Sequence, residues 1–182
     1  MKKLLAALLA VMLMMSAVAF AEEATTAADL DAQPIEDTIL NFDITMDQIP
    51  EGYTMSKIFD QGVAYVTFSP ENGEGPTYMV GISADESVEG IVLPAELGEE
   101  EQEFIIEAWC GDWNAPTLRM LQTAHGTNLI VLEDNDAEGD VCDLVTCYNG
   151  YIIVCDFWQN GELTEADVER GVQILSDMWI AD

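Results

Sequence analysis

The chain has 182 residues and carries 35 acidic side chains against five basic ones, a formal net charge of −30 at pH 7. Nucleic acids and anionic membrane surfaces are bound through cationic faces, so this charge argues against both as partners. It leaves proteins and cationic ligands as partner classes. Apolar residues make up 49% of the chain, which is enough for one packed domain and argues against disorder.

The N-terminus has the pattern of a signal peptide. Lys2 and Lys3 precede an apolar run from Leu4 to Phe20, and Ala19-Phe20-Ala21 supplies the small residues that signal peptidase requires. We therefore expect residues 1–21 to be removed and the mature protein to be secreted or extracytoplasmic, without stable membrane insertion. Three basic residues then remain: Lys57, Arg119 and Arg170.

The rest of the chain divides into a leader and one domain. Residues 22–40 are small, acidic and without apolar periodicity, which predicts a flexible acidic leader. Residues 41–182 are predicted to form a single α+β domain. Alternating or apolar runs in its first half predict four strands, at residues 42–46, Tyr53–Phe59, Gly62–Phe68 and Thr77–Ser83. Acidic residues after Gly98 then predict a helix that ends near Gly111.

The second half is predicted to add four strands and a closing helix. Two strands meet at His125-Gly126, and an acidic turn, Asp134–Asp140, follows. Val141–Tyr148 and Tyr151–Trp158 then form a hairpin around Asn149-Gly150. The segment Leu163–Ile180 is predicted to be an amphipathic helix, with a capping box of Thr164 and Asp167 and an apolar stripe of Val168, Val172, Leu175 and Trp179. The fold class is α+β, an antiparallel sheet of about seven or eight strands with helices packed on it.

The two-residue turn also predicts the register of the hairpin. It pairs Cys147 with Ile152, Leu144 with Cys155 and Cys142 with Phe157, as well as the two tyrosines beside the turn. Cys142 and Cys155 are then diagonal neighbours, beyond the usual reach of a disulfide. We expect no bridge inside the hairpin; a disulfide would involve Cys110, and free buried thiols remain an alternative.

The order of elements resembles the PsbP/Mog1 family. The resemblance rests on the IPEGY turn followed by GVAYVTFSP, and on the GYIIVCDF strand followed by an amphipathic helix. It implies an α/β/α sandwich and a non-enzymatic binding or accessory role, as in photosystem assembly or nuclear transport. No family motif falls on numbered positions here, so the resemblance implies no functional residue.

Two groups of side chains are candidates for chemistry. Cys110 and the single histidine, His125, would be a nucleophile and its base if the fold brought them together. Four acids match the first half of a calcium-binding loop: Asp134, Asp136, Glu138 and Asp140. The match fails at the twelfth position, where Val145 replaces the bidentate glutamate, so the default interpretation is a solvated acidic turn.

The sequence favours a secreted, strongly acidic, non-enzymatic binding or accessory protein that needs no cofactor. One alternative is an extracellular hydrolase that uses a carboxylate pair or Cys110 with His125. Another is a weak calcium-binding structural protein of the cell envelope. A hydrolase requires titratable groups that converge in a cleft, whereas a binding protein needs only a pocket, a surface patch or a sheet edge.

Overall fold

The structure is a computed structural model, and it describes residues 43–46, 49–60, 62–111, 113–136, 139–148, 150–159 and 162–181. The predicted signal peptide and the whole of the predicted acidic leader, residues 22–40, lie outside these residues. Within them, no helix is long and apolar enough to cross a membrane.

The described residues form nine strands, two α-helices and one turn of 3-10 helix. The first strands are β1 (Asp43–Met46), β2 (Tyr53–Asp60), β3 (Val63–Pro70) and β4 (Thr77–Ala84). The 3-10 turn Glu86–Val88 and helix α1 (Glu99–Trp109) follow. The chain continues through β5 (Thr117–Gln122), β6 (Asn128–Asp136), β7 (Gly139–Tyr148), β8 (Tyr151–Gln159), α2 (Glu165–Asp177) and β9 (Met178–Ala181).

Seven strands form one antiparallel sheet in the order β2-β3-β4-β8-β7-β6-β5, among the residues described. The hairpin β7-β8 lies near its centre, because β8 pairs with β4 on one side and β7 with β6 on the other. This confirms the predicted α+β class and the predicted antiparallel sheet.

Each face of the sheet has its own apolar core, because successive side chains of a strand point to opposite faces. On one face, Ile105 of α1 and the segment from Val88 to Leu97 pack on Ile130, Val145 and their neighbours. We call this the α1 face. On the other, Val168 and Ile174 of α2 pack on a second set of strand residues, which includes Val80, Leu144 and Phe157. We call this the α2 face.

The register predicted for the hairpin is confirmed. Cys147 pairs with Ile152, Leu144 with Cys155 and Cys142 with Phe157. Gly150 in the turn has a φ of 83°, a left-handed conformation that glycine adopts without strain. All four cysteines are free and buried, Cys110 among them.

Two boundaries differ from the prediction. Helix α2 ends at Asp177, and Trp179 belongs to β9, which pairs antiparallel with β1 in a separate two-stranded sheet. Trp179 is therefore not part of a helical stripe; strand pairing with a distant segment prevails over the helical period there. The turn predicted over Asp134–Asp140 is also shorter in the structure, because β6 extends to Asp136 and β7 begins at Gly139.

Candidate functional site

A cavity of about 240 Å³ opens on the α2 face, between the end of α2 and the strands β5 to β8. We call it the α2 pocket. Strand ends and the loop between β5 and β6 supply most of its wall, and α2 with the residue after it closes the opposite side. The lining residues are Thr123, His125, Thr127, Leu129, Thr146, Tyr148, Ile153, Leu175, Ser176 and Met178.

Three of the hydroxyl side chains in the wall are more than nine-tenths buried, and each is held by the backbone. Thr123 Oγ1 accepts from the amide of Thr127 at 3.1 Å, and Ser176 Oγ accepts from the amide of Ala124 at 3.3 Å. Thr146 Oγ1 instead donates to the carbonyl of Asn128 at 2.9 Å. The bond to Ser176 connects the β5–β6 loop to α2, and the three bonds together fix the hydroxyl groups in place.

The rest of the lining is apolar or lies at the rim. Leu129 and Ile153 are buried floor residues from the sheet, while Leu175 and Met178 are partly buried residues of the opposite wall. His125 and Tyr148 are exposed at the rim. Such a combination of apolar surface with a few fixed polar groups is typical of small-molecule sites.

Cys110 and His125 are not brought together. Cys110 follows α1 and belongs to the α1-face core, whereas His125 lines the α2 pocket on the other face of the sheet. Burial and nearby carboxylates raise the pKa of the Cys110 thiol to about 12, which keeps it protonated and a poor nucleophile at neutral pH. The two residues do not form a nucleophile–base pair in this structure.

A pair of aspartates lies at the centre of the sheet on the α1 face. Asp143 of β7 is directly opposite Asp156 of β8, and their carboxyl groups are hydrogen-bonded. Trp109 of α1 donates its indole N–H to Asp143 Oδ2 at 2.5 Å. Asp143 is only 7% exposed, so the pair lies beneath the helix.

Burial is the main reason why both carboxyl groups hold protons more tightly than usual. It raises the pKa of Asp156 to about 6, and it raises the pKa of Asp143 well above the usual range, with the charge of Asp156 adding to the effect. Two adjacent buried carboxylates cannot both ionise at low cost, so the pair shares a proton.

Sequence reasoning missed this pair, although a signal for it was present. The register predicted from the Asn149-Gly150 turn places Asp143 opposite Asp156. Two acids in a non-terminal cross-strand pair of a central hairpin are an unusual combination, because like charges directly opposite destabilise a sheet. That register, applied to every position of the hairpin, would have identified them.

The four acids of the calcium-like motif are not all at one place. Asp134 accepts from the amides of Asn114 and Ala115, both at 3.0 Å, on the α1 face. Asp140 accepts from the amide of Leu163 at 2.7 Å, in the segment that leads into α2 on the other face.

These two carboxylates therefore cannot bind one ion together in this arrangement. Asp136 ends strand β6, and Glu138 lies outside the described residues. In the described part of the chain, no group of three or more His, Cys, Asp or Glu side chains could hold a metal ion. A calcium site in this hairpin stays a prediction.

Both arginines connect α2 to the sheet. Arg119 of β5 donates two bonds to Glu165, at 2.9 and 2.8 Å, and a third to Glu133 of β6 at 3.0 Å. Arg170 lies 5.4 Å from the centre of the Tyr53 ring and donates to its hydroxyl at 3.3 Å. Two of the rare basic side chains thus position the helix that closes the α2 pocket.

No protein-family profile matches the chain, and no curated protein matches it in sequence. The chain is similar to the solution structure of cyanobacterial PsbP (CyanoP) from Synechocystis sp. PCC 6803. The two share 14% identity and a TM-score of 0.41, over 78% of this chain and 93% of that chain. PsbP is also the family that the strand and helix patterns resemble. No functional residue is carried over from this similarity.

Proposed function

We propose that the protein is a secreted, non-enzymatic binding or accessory protein, and that the α2 pocket is its binding site. The observation that carries the proposal is a 240 Å³ cavity whose buried hydroxyl groups are held in place by backbone hydrogen bonds. Secretion is proposed from the signal-peptide pattern of residues 1–21. The large negative charge favours a protein that stays soluble outside the cell.

The lining supports binding without catalysis. Among the described residues, its titratable side chains are His125 and Tyr148, both at the rim, and no carboxylate, thiol or lysine lines it with them. General acid–base catalysis usually needs two groups that converge on a substrate within hydrogen-bonding reach. An apolar floor with a few hydroxyl groups held by backbone hydrogen bonds can orient a ligand without reacting with it.

Amide NMR with a panel of small molecules tests the proposal. We would titrate glucose, glycerol, phenol, acetate and glycine separately into ¹⁵N-labelled mature protein. At least one should produce saturable shifts confined to the amides of 123–129, 146–148 and 175–178. No saturable shift from any of the five, or shifts spread evenly over the sheet, would overturn the assignment of the site.

Two tryptophan variants complete the design. Thr127 is half-buried at the pocket, and Thr127→Trp should block it and abolish the shifts. Thr117 is exposed at the start of β5, away from the pocket, and Thr117→Trp should leave the shifts unchanged. A ligand that binds both variants equally would lie elsewhere.

A second candidate is an extracellular hydrolase that uses Asp143 and Asp156. A carboxyl pair that shares one proton is the arrangement of aspartic proteases, and this observation favours it. Trp109 covers the pair, however, and direct contact between the carboxyl groups leaves no room for the water that inverting glycosidases hold between theirs. Hydrolysis of casein or of chromogenic glycosides that is lost in Asp156→Asn would establish this candidate instead.

A further inference from the structure

We infer that the α2 pocket selects small uncharged molecules that present an oxygen acceptor at one end and an apolar ring or chain at the other. The inference rests on the proposed function and deepens it by naming the ligand class. It follows from the charge, the hydrogen-bonding pattern and the size of the pocket.

The first observation is that the described residues of the lining include no Asp, Glu, Lys or Arg. The protein has 35 acidic residues, yet none of the ten lining residues is acidic and none is Lys or Arg. An ionic ligand that enters the pocket loses hydration and finds no opposite charge, which costs several times more than burial of a neutral group. Anions are disfavoured further by the net charge of −30. A neutral ligand avoids both costs.

The hydrogen-bonding pattern determines which end of the ligand is polar. Thr123 Oγ1 and Ser176 Oγ each accept a backbone amide, so each hydroxyl proton remains to be donated to an acceptor in the pocket. Both residues belong to the side of the pocket where the β5–β6 loop meets α2. A ligand oxygen placed there would receive both protons.

The opposite end of the ligand would lie on the apolar floor. Ile153 and Leu129 are 8% and 0% exposed, and Leu175 and Met178 are packed around them. A cavity of roughly 150 Å³ is enough to bind benzene. The volume of 240 Å³ therefore admits a six-membered ring with one polar substituent, and it lies below the range of roughly 300–1,000 Å³ that is typical for drug-sized ligands.

Four probes of one shape separate these contributions: benzyl alcohol, toluene, benzoate and benzylammonium. We would titrate each into ¹⁵N-labelled mature protein and fit the pocket amide shifts. Benzyl alcohol should bind at least about tenfold more tightly than either ion and several-fold more tightly than toluene. Ser176→Ala should reduce the preference for benzyl alcohol over toluene while toluene affinity stays within about twofold, so a general loss of folding would be recognised.

Each other outcome overturns the inference. Equal or tighter binding of benzoate or benzylammonium at the same amides would show a charged ligand class and leave the α2 pocket as the binding site. If one of the five panel molecules binds there but benzyl alcohol does not, the ligand class is wrong and the site is retained. If nothing binds in either experiment, the proposed function fails together with the inference. An unchanged preference in Ser176→Ala removes the assigned donor.

Discussion

Asp143 and Asp156 face each other across the central strand pair β7-β8 and share a hydrogen bond beneath Trp109. The sheet thus contains a buried acid pair at the position where α1 packs. Both carboxyl groups have raised pKa values in the folded protein. At pH values above the ordinary carboxyl pKa, the folded state therefore binds more protons than the unfolded state.

We therefore expect this pair to make the protein less stable as the pH rises. The contribution of the pair to the free energy of unfolding is complete below about pH 4. It is lost as the pH rises through the folded pKa of Asp156, about 6, and then through that of Asp143. The loss is on the order of 2 kcal/mol or more, since one pKa unit corresponds to about 1.4 kcal/mol. Urea unfolding between pH 4 and pH 8 measures it.

Asp143→Asn provides the direct test of the shared proton. An asparagine amide can donate to Asp156 and its oxygen can accept from Trp109, with no proton to lose. The variant should flatten the pH dependence and raise the free energy of unfolding at pH 8 by about 1–2 kcal/mol. Glu103→Gln on the exposed side of α1 removes one charge elsewhere and serves as control. A pH profile unchanged by Asp143→Asn would contradict the raised pKa.

Gly171 sets the distance between α2 and the sheet. A Cβ atom at this position would lie 2.9 Å from Leu144 Cδ1 and 3.1 Å from Phe157 Cε1, both in the buried core. Gly171→Val should therefore destabilise the protein by about 1–3 kcal/mol through overpacking. Thermal unfolding measures the change. Glu169 is exposed on the same helix, so Glu169→Val serves as the control for the helix propensity of valine. It should lower the free energy of unfolding by well under 1 kcal/mol, roughly the helix propensity difference.

Arg119 and Glu165 form a bidentate pair that connects β5 to α2. Hydrogen bonding to Arg119 lowers the pKa of Glu165, but the Glu165 side chain is 60% exposed, so solvent screens the pair. A double-mutant cycle of Arg119→Met and Glu165→Gln should give a coupling of about 0.5–1 kcal/mol at low salt, and less in 1 M NaCl. A coupling that is zero at low salt would contradict a formed ion pair.

Calcium binding by the β6–β7 hairpin can be decided by calorimetry. Because Asp134 and Asp140 are bonded to backbone amides on opposite faces, we expect no heat and no shift of the melting temperature on addition of 5 mM CaCl2. This concentration exceeds the dissociation constants of extracellular calcium modules, roughly 10⁻⁴–10⁻³ M. Heat that disappears in Asp136→Asn would instead show a site formed by the remaining acids.

Much of the sheet could be predicted from local patterns. Alternation in Val63–Phe68 and the Asn149-Gly150 turn depend on neighbours in the chain, so strand positions and the hairpin register were correct. The spacing of Trp179 continues the apolar stripe of α2, so the local pattern predicts a helical position for it. Its pairing with β1 joins residues more than 130 positions apart, and no local pattern reports such a contact.

The candidate site was harder to predict than the fold. Thr123, Thr146 and Ser176 come from three separate segments and carry no motif, so only packing shows that they surround one cavity. The Asp134–Asp140 motif looked like one site because its acids are close in sequence. Within one strand, residues an even number of positions apart point to the same face of the sheet. Asp134 and Asp140 lie on two strands joined by a turn, so this rule does not apply to them and they point to opposite faces.

The acidic character, the α+β class and the pairing of the central hairpin can be read from the amino-acid sequence, because they follow from composition and from contacts between near neighbours. Packing of distant segments separates Cys110 from His125 by the sheet, and it brings hydroxyl groups from the β5–β6 loop, β7 and α2 around one pocket. Those relationships depend on how distant segments pack, and a single sequence carries no direct record of that packing.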